Sequence, residues 1–90
     1  MTRENVVNTL QDQIDAGDRS ALMELALFYI EVAEEPNFEE AYMWYSIASA
    51  FLIEGAISER DEAASSIEPK LIVELQDRAG ELFDKLSPIK

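Results

Sequence analysis

Neither cysteine nor histidine occurs among the 90 residues of this chain. The first absence excludes a disulfide framework and a thiolate metal site, so the fold is held by packing alone and the redox compartment stays open. The second removes the commonest general base; with cysteine gone too, the strongest nucleophile and the usual transition-metal ligands are missing. Glycine and proline are scarce, three of each, too little punctuation for an all-β fold with many turns. Cations are short as well. Seven Lys plus Arg stand against 19 Asp plus Glu, a formal net charge of −12, and no basic residue occurs between Arg19 and Arg60. The seven are scattered singly and form no patch able to displace counterions from DNA, RNA or an anionic membrane. Long apolar runs are also lacking. The longest uncharged stretch, Ala41 to Ile53, is too short to span a bilayer, and the N-terminus lacks the apolar core of a secretory signal. Together these absences predict a cytoplasmic protein that is not an enzyme, needs no cofactor or metal, and neither enters membranes nor binds nucleic acid directly.

What is present is a chain 48% hydrophobic, too apolar for disorder. Ninety residues make one small domain able to bury about 60–65% of its unfolded surface around a single core. Caps and apolar spacing predict five helices. Thr2 can cap the first, in which Val6, Leu10 and Ile14 recur every four residues beside Val7, and Gly17 sits where a left-handed residue would end it. Asp18 caps a second with the stripe Leu22, Leu25, Ala26, Tyr29, Val32 and Ala33, and Pro36 stops it. Asn37 with Glu40 three residues on forms an Asn-headed capping box, and Glu39 and Glu40 put negative charge in the first turn, where the helix dipole favours it. That third helix is expected to run to about Ile53, with Gly55 as its terminator. Ser58 and Asp61 can cap a short fourth helix carrying Ala63, Ala64 and Ile67. Pro69 takes the first position of a fifth, whose face is Leu71, Ile72, Leu75, Ala79, Leu82, Phe83 and Leu86. Connections of a few residues make neighbouring helices antiparallel.

Helices two and three carry more apolar residues than one stripe needs. From Ala21 to Ala33 only Glu24 and Glu31 are polar, and from Ala41 to Ile53 only Ser46 and Ser49. One reading makes them central helices covered by the other three. The other gives the second stripe, Met23, Leu27 and Ile30 with Tyr42, Met43 or Ile53, to a partner or a second copy of this chain. The carboxylates Glu31, Glu34, Glu35, Glu39 and Glu40 straddle the turn between these helices with no cation among them. They read either as a solvated loop or as a docking surface for Lys or Arg, with Phe38 and Tyr42 as its apolar anchor. Acidic pairs such as Asp12/Asp15 carry no calcium-loop spacing and read as solvated helix ends. Ser46 and Ser49 have no base in reach by sequence and read as small residues that let helices approach.

Ala21, Leu25, Ala26 and Tyr29 on the second helix, followed by Asn37, Ala41, the pair Trp44-Tyr45, Ala48 and Ser49 on the third, resemble the Sel-one-like repeat, a short cousin of the tetratricopeptide repeat. The resemblance extends over roughly residues 18 to 86, since Arg60-Asp61, Ile67-Glu68-Pro69 and Ala79 look like the terminal helices that close such arrays. It departs from the pattern where Val32 and Ala33 replace the glycines after the tyrosine, and where Ala26 and Leu52 occupy usual glycine positions. The resemblance implies an all-α fold of about five short antiparallel helices built on a tetratricopeptide-like αα-hairpin: residues 1–17 an N-terminal capping helix, 18–55 the repeat-like pair, 56–87 the C-terminal capping helices. It also implies adaptor or scaffold work without catalysis. The expected function is therefore binding of a protein partner with a basic surface, through Glu31, Glu34, Glu35, Phe38, Glu39, Glu40, Tyr42, Met23, Leu27 and Ile30. The alternative is an acidic inhibitor that imitates nucleic acid toward a nucleic-acid-binding protein.

Overall fold

Helix boundaries in this protein are set by backbone devices a few residues long, and those devices fix which faces meet. The computed structural model describes residues 3–32 and 35–86, in which five helices and no strand occur: α1 Arg3–Asp15, α2 Ser20–Glu31, α3 Phe38–Ala50, α4 Ala56–Ala64 and α5 Pro69–Leu86. The fold is all-α, as expected. The expected cap Thr2 and the stripe residue Ala33 lie outside the described residues.

Gly17, at φ 103°, closes α1: its N–H donates to the Ile14 carbonyl at 3.0 Å and the Asp18 N–H to that of Gln13 at 2.9 Å. Asp18 then opens α2, its carboxylate accepting from the Ser20 N–H at 3.2 Å and the Ser20 hydroxyl at 2.7 Å. Asn37 does two jobs. Its side-chain oxygen accepts the Glu40 N–H at 3.1 Å, starting α3, and its own N–H donates to the Tyr29 carbonyl at 2.8 Å, which folds the connection back on the end of α2. The reciprocal half of the expected capping box is therefore absent, because that N–H is already used.

Four sequence expectations are corrected along α3 and α4. Helix α3 stops at Ala50, not Ile53, and the residue that ends it is Leu52, the one non-glycine residue with positive φ (65°) among those described. Its N–H donates to Ser49 O at 3.0 Å and the next N–H, of Ile53, to Ala48 O at 3.1 Å, the closure that Gly17 makes in α1. Gly55, at φ 86°, is not that terminator but the residue before α4. That helix begins at Ala56, so Ser58 and Asp61 lie inside it instead of capping it, and Ile67 falls after it, buried in the turn toward α5. Pro69 does take the first position of α5.

The radius of gyration, 12.4 Å, matches the ~12 Å of a compact chain this long. Helix α3 is the centre, packed on α2, α4 and α5, while α1 packs on α2. Ala21, Leu22, Leu25 and Ala26 from α2 and Ala41, Met43, Trp44, Tyr45, Ile47 and Ala48 from α3 are all buried in one cluster with Leu10 and Ile14 of α1. Alanine at four of these contact positions lets the two helix backbones approach closely, and the large side chains fill the flanks. A smaller cluster, Tyr42, Ala63, Ile67 and Leu75, joins α3 to α4 and α5, so the single expected core has two lobes. On α2 the stripe is displaced: Val32 is 52% exposed, whereas Phe28, which the helical spacing did not select, is buried edge-on to Tyr29 at 6.0 Å between ring centroids. The chain turns are tied together by aromatics. The Arg19 guanidinium lies 4.1 Å over the Phe51 ring, which contacts Phe83 of α5 at 4.7 Å.

Candidate functional site

The packing of α2 and α4 on the same helix leaves a groove between them. Two adjoining depressions, of about 220 and 200 Å³, share Leu27 and Glu59. Met23, Leu27 and Ile30 of α2, one turn apart in succession, form one side of the floor; Phe38, Tyr45 and Ala63 complete it. Leu27 is 43% exposed and Met23 and Ile30 are partly so. Of the second apolar stripe of α2, Leu27 is exposed, whereas Met23 and Ile30 are half-buried and packed against the core cluster.

Four carboxylates rim this floor: Glu24 and Glu31 from α2, Glu59 and Glu62 from α4. Among the described residues no Lys or Arg lines it. Of the described cations, Arg19 is stacked on Phe51, Arg60 lies against Asp61 at 3.1 Å and Arg78 against Glu40 at 3.4 Å. The field these carboxylates produce is felt underneath. Tyr45 is 1% exposed, and burial first, then Glu59, Glu31 and Glu62, push its phenol above the ordinary value of 10.0.

The sequence-predicted site residues do not form one surface. Glu31 lines the α2–α4 groove, whereas Glu40 lines a separate cleft of about 340 Å³ between α1, α3 and α5. There Glu40 accepts the Trp44 indole N–H at 3.3 Å and the Arg78 guanidinium N–H at 3.4 Å, so the cluster expected to lack any cation has one, delivered by α5. Burial and then the Glu40 charge push the Tyr29 phenol above its ordinary value. Glu35 and Glu39 are exposed, and Glu34 lies outside the described residues. Tyr42, expected as an anchor for a partner, is 4% exposed and its hydroxyl accepts from the Gln76 side-chain amide at 3.2 Å; it belongs to the packing of α3 on α5. Met43, the other α3 candidate for an exposed stripe, is likewise buried.

Glu24, Glu59, Glu62 and Ala63 are groove residues that the sequence reading did not select. On α2 the signal was available, since Glu24 and Glu31 are two turns apart and flank Leu27. The α4 contribution was not, because it depends on where that helix docks.

Among the described residues, no helix is long and apolar enough to cross a membrane and no group of three carboxylates is placed to hold a metal ion. The chain matches no protein-family model, no curated protein and no solved structure.

Proposed function

We propose that this chain is a non-catalytic protein-interaction module of the cytoplasm, a single Sel-one-like repeat with capping helices, and that it binds a protein partner with a basic surface. The observation that carries the reading is the groove between α2 and α4, where exposed Leu27 and half-buried Met23 and Ile30 are rimmed by Glu24, Glu31, Glu59 and Glu62, with no Lys or Arg in its lining among the described residues. Four carboxylates lining one groove attract an opposite charge, and exposed Leu27 with half-buried Met23 supplies the apolar contact that surface charge alone does not. The repeat reading is supported by the burial of Ala21, Leu25 and Ala26 against Ala41, Trp44, Tyr45 and Ala48, and by the left-handed backbone of Leu52, at a position where that repeat carries glycine. The non-catalytic reading rests on the absence of histidine and cysteine.

The test is retention of a partner from host lysate on the immobilised full chain, eluted with a salt gradient with and without duplex DNA. A partner held past about 0.3 M salt, where exposed charges are screened beyond a few ångströms, and indifferent to DNA supports the proposal. Release below that concentration together with displacement by DNA favours the nucleic-acid mimic instead.

A further inference from the structure

We infer that the occupant of the α2–α4 groove is an amphipathic helix of about two turns, with one apolar stripe flanked on both sides by Lys or Arg. The inference rests on the protein-binding reading above and adds the shape and chemistry of what is bound.

The argument begins with the backbone. Both walls of the groove are helices whose N–H and C=O groups are paired within the helix, so an extended peptide would find side chains but no row of free backbone partners and would leave its own amides unsatisfied on docking. A helix brings its backbone hydrogen bonds with it. The floor sets the length. Met23 to Ile30 spans seven residues of α2, about 10 Å at the rise of an α-helix, which two turns of an occupant cover. Apolar residues at i, i+3 or i+4 and i+7 of the occupant would meet Met23, Leu27 and Ile30 in turn.

The rim sets the charge. Glu24 and Glu31 lie two turns apart on one wall, Glu59 and Glu62 one turn apart on the other, so cations are called for on both flanks. The two depressions share Leu27 and Glu59, so both walls bound one volume, and the upward push of Glu59, Glu31 and Glu62 on the Tyr45 phenol agrees with that. Phosphate-bearing occupants are repelled by the same four groups. A second copy of this chain does not fit either: its one strongly amphipathic helix, α5, carries Lys70, Arg78 and Lys85 against Glu74, Asp77, Glu81 and Asp84 and so has no basic flanks.

The experiment uses the full chain and a fluorescein-labelled synthetic peptide of leucine and lysine with its leucines on one helical face, beside a scrambled peptide of the same composition. Anisotropy gives affinity, and methyl shifts give location. The expected result is binding about tenfold tighter for the striped peptide, with shifts on Leu27, Ile30 and Ala63. Glu59→Lys with Glu62→Lys should weaken it about tenfold, whereas Glu81→Lys with Asp84→Lys, the same charge change one turn apart on α5, should cost less than about threefold. Glu59→Gln with Glu62→Gln, which keeps side-chain shape, should give an intermediate loss with unchanged circular dichroism. Equal losses from the two charge-reversed pairs, shifts centred on Leu82 and Leu86 of the separate cleft, or equal binding of the scrambled peptide would each overturn the inference. If the groove reversal still holds the lysate partner as the unmodified chain does, the occupant assigned here is wrong while protein binding stands; if no protein is retained by either chain, the broader reading fails.

Discussion

Replacing Leu52 by glycine should stabilise this protein, although it deletes a large apolar side chain. Leu52 sits at φ 65°, a conformation that costs an L-residue about 1–2 kcal/mol because Cβ crowds the following carbonyl oxygen. Glycine removes that strain but adds freedom to the unfolded chain, which takes back about 0.4–1 kcal/mol. The side chain itself contributes little. It is 90% exposed, so about a tenth of the 1.5–3 kcal/mol for burying a leucine, roughly 0.2 kcal/mol, is lost. The balance is a gain of about 0.5 kcal/mol, or a rise in Tm of about 2–4 °C for a chain of this size. Leu52→Ala separates the causes, since alanine keeps the Cβ and therefore the strain, and should melt within about 1 °C of the natural chain. Thermal melts followed by circular dichroism, with urea titrations to confirm unchanged m-values, are sufficient. Leu52→Gly melting at or below the natural chain would refute the strain argument. An equal rise in Leu52→Ala would attribute the gain to removal of an exposed leucine instead.

Three further outcomes follow from the packing and the caps. Asn37→Ala should cost about 1 kcal/mol in urea unfolding, since it removes the acceptor for the Glu40 N–H, while Asn37→Asp should cost little because a carboxylate at that helix start also suits the dipole. Glu40→Ala should destabilise by about 1 kcal/mol, as it orphans the buried Trp44 indole N–H, and should shift Trp44 fluorescence; Arg78→Ala, which breaks only a mostly exposed pair, should cost less than about 0.5 kcal/mol. Tyr45 holds its proton more tightly folded than unfolded, so its contribution is intact below the ordinary value of 10.0 and declines above it as the unfolded chain ionises first. Stability should therefore fall above pH 10 by up to about 1.4 kcal/mol per pH unit on its account, and Tyr45→Phe should flatten that limb of the profile.

The helices could be read from local chemistry because their limits are local: Gly17, Asp18, Asn37 and Pro69 act through backbone groups within a turn of themselves. Leu52 is illegible for the same reason inverted, as nothing in a leucine side chain announces positive φ, and the apolar run Phe51 to Ile53 reads as a continuation of the helix. Gly55 then looked like an end when it is the approach to α4. The proposed interaction surface is half legible in the sequence. Met23, Leu27 and Ile30 stand out as a second apolar stripe on α2, and they line the groove, whereas the second stripe of α3 is buried because α4 and α5 also pack on that helix. The acidic half was misjudged, since adjacency along the chain does not survive folding. Glu31 and Glu40, nine residues apart, line different depressions, while Glu31 and Glu59, far apart in the chain, line the same one. Tyr42 was misassigned because α5 returns over it, a contact that depends on two intervening turns.

Leu27 lies where the two halves of the groove join, and it is exposed enough that its replacement leaves the core untouched. The most direct measurement is the affinity of the partner retained from host lysate for Leu27→Asp, with the melting temperature of the variant alongside. A loss of about tenfold or more with Tm within a few degrees of the natural chain is the expected result. Undiminished binding by a folded Leu27→Asp chain would contradict the assignment of this groove as the binding surface.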